Sequence, residues 1–120
     1  MGTISKEILS GSTNGRPIQI TQVSTPGNIL HTTGVTTTTV DEVWIYATNN
    51  DTVTRNLTIE WGTTGASSEI IVGIPSKSGL SIIIPGVTLT GTGVAGNNVR
   101  AYASVANFIN VVGYVNRMVP

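Results

Sequence analysis

The chain has 120 residues, the size of one domain, and no cysteine, which excludes a disulfide framework, a thiolate nucleophile and a Cys-ligated metal centre. Only 10% of its residues are charged, against about 25% in an average soluble domain, and six basic side chains balance six acidic ones without forming a run. Binding to DNA, RNA or anionic lipid needs clustered Lys and Arg, so neither nucleic acid nor a membrane is an expected partner.

The opening residues, MGTISKEILSGS, lack the basic and long apolar regions of a secretory signal, and synthesis in the cytoplasm is expected. A single helical turn near Ser5 to Leu9 would put Ile4, Ile8 and Leu9 on one face. A Gly/Ser/Thr/Asn-rich joint follows, so residues 1–14 read as an N-terminal arm ahead of a domain over 15–120. The arm is either a flap on that domain or a segment reaching a neighbour, and reaching out is the expectation.

From residue 16 onward the dominant signal is period two in short segments. Leu57, Ile59 and Trp61 alternate with polar neighbours, as do Val99, Ala101, Ala103 and Val105, the pattern of half-buried strands. Further segments fall at 16–23, 40–48, 69–74, 79–84, 87–90 and 108–118, giving about eight strands. In VDEVWIYAT (40–48), Val43, Ile45 and Ala47 point one way and Trp44 and Tyr46 the other. Both faces should be covered, as in a central strand or one whose outer face meets another subunit. The intervening Pro26-Gly27, Asn49-Asn50-Asp51, Gly62 to Gly65, Pro75 to Gly79, Pro85-Gly86 and Asn97-Asn98 favour reversals. The run Thr36 to Thr39 fits a loop or a strand start. Thr, Val and Ile prevail and no helical periodicity lasts three turns, so the expected fold is an all-β, single-domain β-sandwich.

Several stretches carry possible chemistry. GTGVAG (91–96) has the GxGxxG spacing of a dinucleotide-binding turn, but a helix must follow it. Here Asn97 to Ala103 alternates like a strand and the later acidic residue is missing, so a connection between strands is expected and no cofactor. His31 is the one histidine; without a second His or a Cys it makes no typical zinc site, and a structural, hydrogen-bonded role near Pro26-Gly27 is expected. A Ser-His-Asp set could be written with Asp41, yet no GxSxG nucleophile turn occurs. Glu42, Glu60 and Glu69 could supply a carboxylate pair, but read better as solvated or strand-end residues. Asn49 to Asp51 lacks the further acids of a calcium loop. No catalytic, metal or cofactor residue is therefore assigned. Trp44, Trp61 and Tyr46 form a sugar-stacking platform if exposed and core if inward, and core is expected. Arg16, Arg55, Arg100 and Arg117 fit interface anchors as well as solubilising charges. The Asn50-Asp51-Thr52 and Asn56-Leu57-Thr58 sequons are read as chance.

Taken together, PGNILHTT (26–33), DEVWIYATNND (41–51), LTIEWG (57–62), VGIPSKSG (72–79), IIPGVTL (83–89), VRAYA (99–103) and NVVGYVNR (110–117) resemble small virion structural proteins of tailed bacteriophages, of the head decoration or cement type. The resemblance covers residues 15–118 and leaves MGTISKEILSGS unmatched. It implies a sandwich of jelly-roll type, located on the virion capsid surface, that assembles as a homotrimer, binds the major capsid protein and stabilises the head without catalysis. In that setting Ile4, Ile8 and Leu9 are the expected oligomer or capsid contacts, and deletion of residues 1–10 should weaken assembly without unfolding the domain. A head fibre base, neck or tail protein, or a carbohydrate-binding module, is the alternative.

Overall fold

The computed structural model describes residues 2–120. The strands are β1 (Thr3–Ile8), β2 (Ile18–Gln19), β3 (Asn28–Thr32), β4 (Val40–Asn49), β5 (Arg55–Gly62), β6 (Glu69–Ile74), β7 (Ser81–Thr90), β8 (Asn98–Ala103) and β9 (Ile109–Val119), with a turn of 3-10 helix at Ala66–Ser68. They form two antiparallel sheets, the first in the order β1-β9-β4-β7 with β2 also on β9, the second in the order β3-β8-β5-β6.

This order follows from one long hairpin rolled up. Its rungs are the pairs β1 with β9, β3 with β8, β4 with β7, and β5 with β6. Rolling then brings β9 against β4 and β8 against β5, which closes two sheets over a shared core. That is a jelly roll, and the expected all-β sandwich is the fold that forms. The short β2 completes the outer rung, pairing Ile18 and Gln19 with Val111 and Asn110 beyond the end of β1.

Period-two alternation sets the core. In β4 every second residue from Asp41 to Asn49 is buried, and Val99, Ala101 and Ala103 do the same in β8. These meet Leu57 and Ile59 of β5 and Val111 and Val115 of β9 in one cluster between the sheets. Because β4 lies between β9 and β7, its other face, carrying Trp44 and Tyr46, is the outer surface of the first sheet and is half-buried.

Four local expectations change. The helical turn at Ser5 to Leu9 is instead strand β1, with Thr3 to Ile8 paired in register against Val119 to Tyr114; an extended edge lets six residues join a sheet where one helical turn would satisfy almost none of its own backbone groups. The strand expected over 16–23 contracts to β2. A further strand, β3, follows Pro26-Gly27 directly, with an irregularity in register between Ile29 and His31. Finally, Pro85-Gly86 is not a reversal. β7 runs through it as a bulge, with Trp44 opposite Pro85 and Val43 opposite Val87. An edge strand tolerates the missing proline N–H, and Gly86 takes φ +77 where any Cβ would meet the Trp44 ring at 2.7 Å.

Candidate functional site

The densest polar construction lies at one end of the core, where three strands meet. Asp41 on β4 is fully buried. It accepts from Arg117 of β9 through Nε at 2.8 Å and Nη2 at 2.9 Å, a forked pair set up because Asp41 and Arg117 are register partners. The same carboxylate meets Nε2 of His31, 2.7 Å away on β3, so the network ties the two sheets together. The other ring nitrogen, Nδ1, accepts the backbone N–H of Ser10 at 3.1 Å. In the neutral ring the proton therefore sits on Nε2 and is donated to Asp41.

Ser10, His31 and Asp41 are thus the residue types of a hydrolytic triad with the wrong atoms in contact. The Ser10 hydroxyl faces Thr32, whose N–H donates to it at 2.7 Å, and His31 is 1% exposed. A triad needs the imidazole on the hydroxyl and a path for substrate. The arrangement instead docks the segment after β1 onto β3, helped by Gly11 N–H donating to Leu30 O at 2.9 Å.

Burial, the largest single influence on Asp41, pushes its pKa up, but hydrogen bonds from Arg117 and His31 and their charges outweigh it and hold the carboxyl below its ordinary value of 3.8. Glu42 is also lowered, by hydrogen bonds from Trp44 and Asn116, and Asp51 by the Thr52 backbone N–H and Arg55. Carboxylates with depressed folded-state pKa values stabilise the fold above their unfolded values and lose that contribution as pH falls through the folded ones. Thermal melting from pH 7 to 2 should therefore show a melting temperature that does not drop until about pH 4 and then falls. A melting temperature flat to pH 2, or one already falling near pH 6, would contradict this assignment.

The remaining carboxylates separate. Glu42 is on the first sheet, accepting from Trp44 Nε1 at 2.8 Å and Asn116 Nδ2 at 3.0 Å. Glu60 and Glu69 are cross-strand partners on the second. Tyr102 donates to Glu69 at 2.6 Å, which raises the tyrosine pKa. Glu60, 1% exposed, holds the 25–27 turn by accepting from Gly27 N–H at 2.7 Å and from the Thr25 hydroxyl. Asn49 is likewise spent on backbone, donating to Val53 O and Ile74 O, both at 2.9 Å, and Asp51 pairs with Arg55. No group of three or more His, Cys, Asp or Glu positioned for a metal occurs among the described residues.

GTGVAG connects β7 to β8. Its glycines admit close backbone approach, but to protein: a Cβ on Gly91 would lie 2.2 Å from Gly34 O, and one on Gly96 2.3 Å from Thr33 O. The loop is laced to the β3–β4 connection by Gly93 N–H to Val35 O and Thr33 N–H to Asn97 O. Val94 at its tip is 91% exposed.

The outer face of the first sheet carries several apolar and aromatic side chains. Across the strands, Ile8 lies beside Tyr114, Tyr114 beside Trp44 and Trp44 beside Pro85; Val112, Tyr46 and Ile82 form the next row on one side, and on the other Ile4, Met118 and Val40 form a third beyond the polar row of Lys6, Asn116, Glu42 and Thr88. Trp44 and Tyr114 stack with centroids 6.2 Å apart and planes 12° from parallel, and Lys6 Nζ sits 4.8 Å over the Tyr114 ring. Of the expected contact residues, Ile4 and Ile8 lie on this face, 73% and 51% exposed. Leu9 does not. It is 0% exposed and belongs to the core cluster, because the chain turns inward after β1, so its expected contact role is withdrawn. Trp44 and Tyr46 are on the outer face rather than in the core, while Trp61 packs against the core as expected. Arg55 and Arg117 are held in ion pairs and Arg100 bonds Gly27 O; Arg16 is exposed. A cavity of about 360 Å³ opens where this face ends, lined by Ile4, Val40, Met118 and Val119 among others.

Fold and surface together define a jelly-roll module whose polar residues hold its loops and whose first sheet presents an outer face with exposed apolar and stacked aromatic side chains. No protein-family model, curated protein or solved structure matches the chain.

Proposed function

We propose that the chain is a non-enzymatic virion structural protein, a capsid decoration or cement protein that binds the assembled head of a tailed bacteriophage as a homotrimer and stabilises it at the capsid surface. The observation that carries this reading is the outer face of the first sheet, where Ile4, Ile8 and Ile82 stand 73%, 51% and 60% exposed around the Trp44–Tyr114 stack. Exposed apolar and aromatic side chains grouped in this way on one sheet face mark a protein contact. Its few charges are engaged within the face, Glu42 by Trp44 and Asn116 and Lys6 by Tyr114, so covering it leaves little charge unpaired. Joining copies to each other and to the major capsid protein would bury that surface and add its free energy to the assembled shell. Because Trp44 is stacked on Tyr114 and Trp61 packs on the core, a flat sugar-stacking platform is the less favoured use of these rings.

Ile8→Asp, at an exposed position, should leave the fold intact and weaken self-association or head binding by roughly 30-fold, the effect of removing an anchor worth about 2 kcal/mol. Sedimentation of the purified protein, and heat and low-salt challenge of particles with and without it, read this out. A parent protein that stays monomeric, together with particles equally resistant without it, would sink the reading. Imaging of particles distinguishes the head surface from a fibre base, neck or tail.

A further inference from the structure

A small polar cavity of about 180 Å³ lies at the end of the second sheet, lined by Glu60, Gly62, Thr63, Thr64, Asn98 and Arg100. It is well removed in chemistry from the apolar face of the first sheet. Glu60 pairs with Arg100 and Gly62 with Asn98 across β5 and β8, so two neighbouring cross-strand pairs frame it. Gly62, at φ +82, contributes bare backbone where another residue would contribute a side chain.

Hydrogen bonds to the 25–27 turn and to Thr32 hold the lining side chains and leave part of their hydrogen-bonding capacity unused. Each Glu60 oxygen already accepts one hydrogen bond, from Gly27 N–H or the Thr25 hydroxyl, and a carboxylate has room for about two on each. Arg100 donates one Nη1 bond to Gly27 O at 3.1 Å, but the arginine ion pairs among the described residues are Arg55–Asp51 and Arg117–Asp41, and Arg100 is in neither. Asn98 accepts from Thr32 Oγ1 through Oδ1 at 2.7 Å, and among the described residues its Nδ2 has no partner. The cavity thus offers donors from Arg100 and Asn98 and an acceptor from Glu60.

Glu60 and Arg100, side by side across β5 and β8, put opposite charges on the lining, which disfavours an occupant carrying a net charge of either sign. An anion would meet the buried Glu60 carboxylate and a cation the Arg100 guanidinium, each at close range in a medium that screens poorly. A hydroxyl suits both, because it donates to one and accepts from the other. We infer that this cavity is a binding site for a neutral polyhydroxylated ligand, one sugar residue in size, with adjacent hydroxyls bridging Glu60 to Arg100 and Asn98. The site is independent of the sheet face assigned above to assembly, and is not the aromatic platform considered for Trp44, Trp61 and Tyr46.

The test is a titration of the isotope-labelled full chain, following backbone amide resonances, with glucose, galactose, mannose and glycerol as neutral probes and with inorganic phosphate and glycine as the anionic and zwitterionic ones. At least one neutral sugar should shift amides of residues 60–64 and 98–100 and saturate at roughly millimolar concentration. Asn98→Asp keeps the oxygen that Thr32 needs and removes the donor, and should weaken binding about tenfold or more. Arg100→Lys keeps the charge, loses the fork, and should weaken it as well. No saturable shift with any neutral probe up to about 100 mM, shifts at these amides produced by phosphate or glycine instead, or sugar binding that is indifferent to both substitutions, would each overturn the inference.

Discussion

Asp41→Ala is expected to cost about 3–5 kcal/mol of folding stability, a drop of roughly 10–20 °C in melting temperature for a chain of this size. The cost does not come from a lost apolar contact. It comes from what stays behind: the buried His31 Nε2–H, and the inner part of the half-buried Arg117 guanidinium, would face a space with no acceptor. Asp41→Asn should recover only part of the loss. Its single oxygen can serve Arg117 or His31, while its amide hydrogens meet whichever is left. His31 cannot adapt by moving its proton to Nδ1, because the Ser10 N–H is aimed at that atom. The strain is thereby passed to the segment behind β1. A double-mutant cycle separates this account from a general packing defect: Arg117→Ala should cost substantially less in the Asp41→Ala background than in the parent, with coupling of about 1–3 kcal/mol. Additive losses in urea or thermal unfolding would mean that the two residues do not act as a unit.

Part of this network is legible in the amino-acid sequence alone. In VDEVWIYAT, Asp41 falls on the same parity as Val43, Ile45 and Ala47, so a strand there has to carry a charge onto its buried face, and a buried carboxylate demands a partner. Which partner is not written locally. His31 and Arg117 lie 10 and 76 residues away, and only the rolled hairpin brings β3 and β9 to the same end of β4. The strands with two neighbours, β4, β5, β8 and β9, are readable because each has one face in the core and one outside, which writes alternation into the residues. β1 is not, since an edge strand with most side chains exposed is under no such constraint; its TISKEI reads equally as a helical turn. β3 is hidden by the register irregularity at Ile29 to His31, which places Leu30 and His31 in succession among the buried residues and breaks the period. At Pro85-Gly86 the residues of a turn serve as those of a bulge, a distinction made by Trp44 lying across the glycine rather than by the dipeptide itself. The outer apolar face is half visible, in Trp44 and Tyr46 opposing the core parity, but its extent depends on β1 and β7 flanking the two central strands.

Because β1 is a strand of the first sheet and not a free arm, an N-terminal truncation should act on the fold itself. Deletion of residues 1–10 is expected to destabilise the domain by about 5 kcal/mol or more, enough to unfold a marginal domain outright and to lower the melting point by roughly 15–25 °C. Leu9 alone fills fully buried volume, and emptying such a site costs about 2–5 kcal/mol. The deletion also strips β9 of its Thr3 to Ile8 partner and leaves His31 Nδ1 and the Thr32 N–H without Ser10. Weakened assembly by such a truncation would therefore say nothing about contacts. A variant that keeps the fold is needed, and the structure supplies it: Ile4→Asp with Ile8→Asp changes two exposed side chains and no core residue, and a melting point within a few degrees of the parent is expected. If the double variant melts like the parent yet no longer associates, β1 contributes an interface on its outer side while its inner end anchors the core. If the truncated chain melts like the parent, β1 is not part of the folded domain and Leu9 does not fill its core.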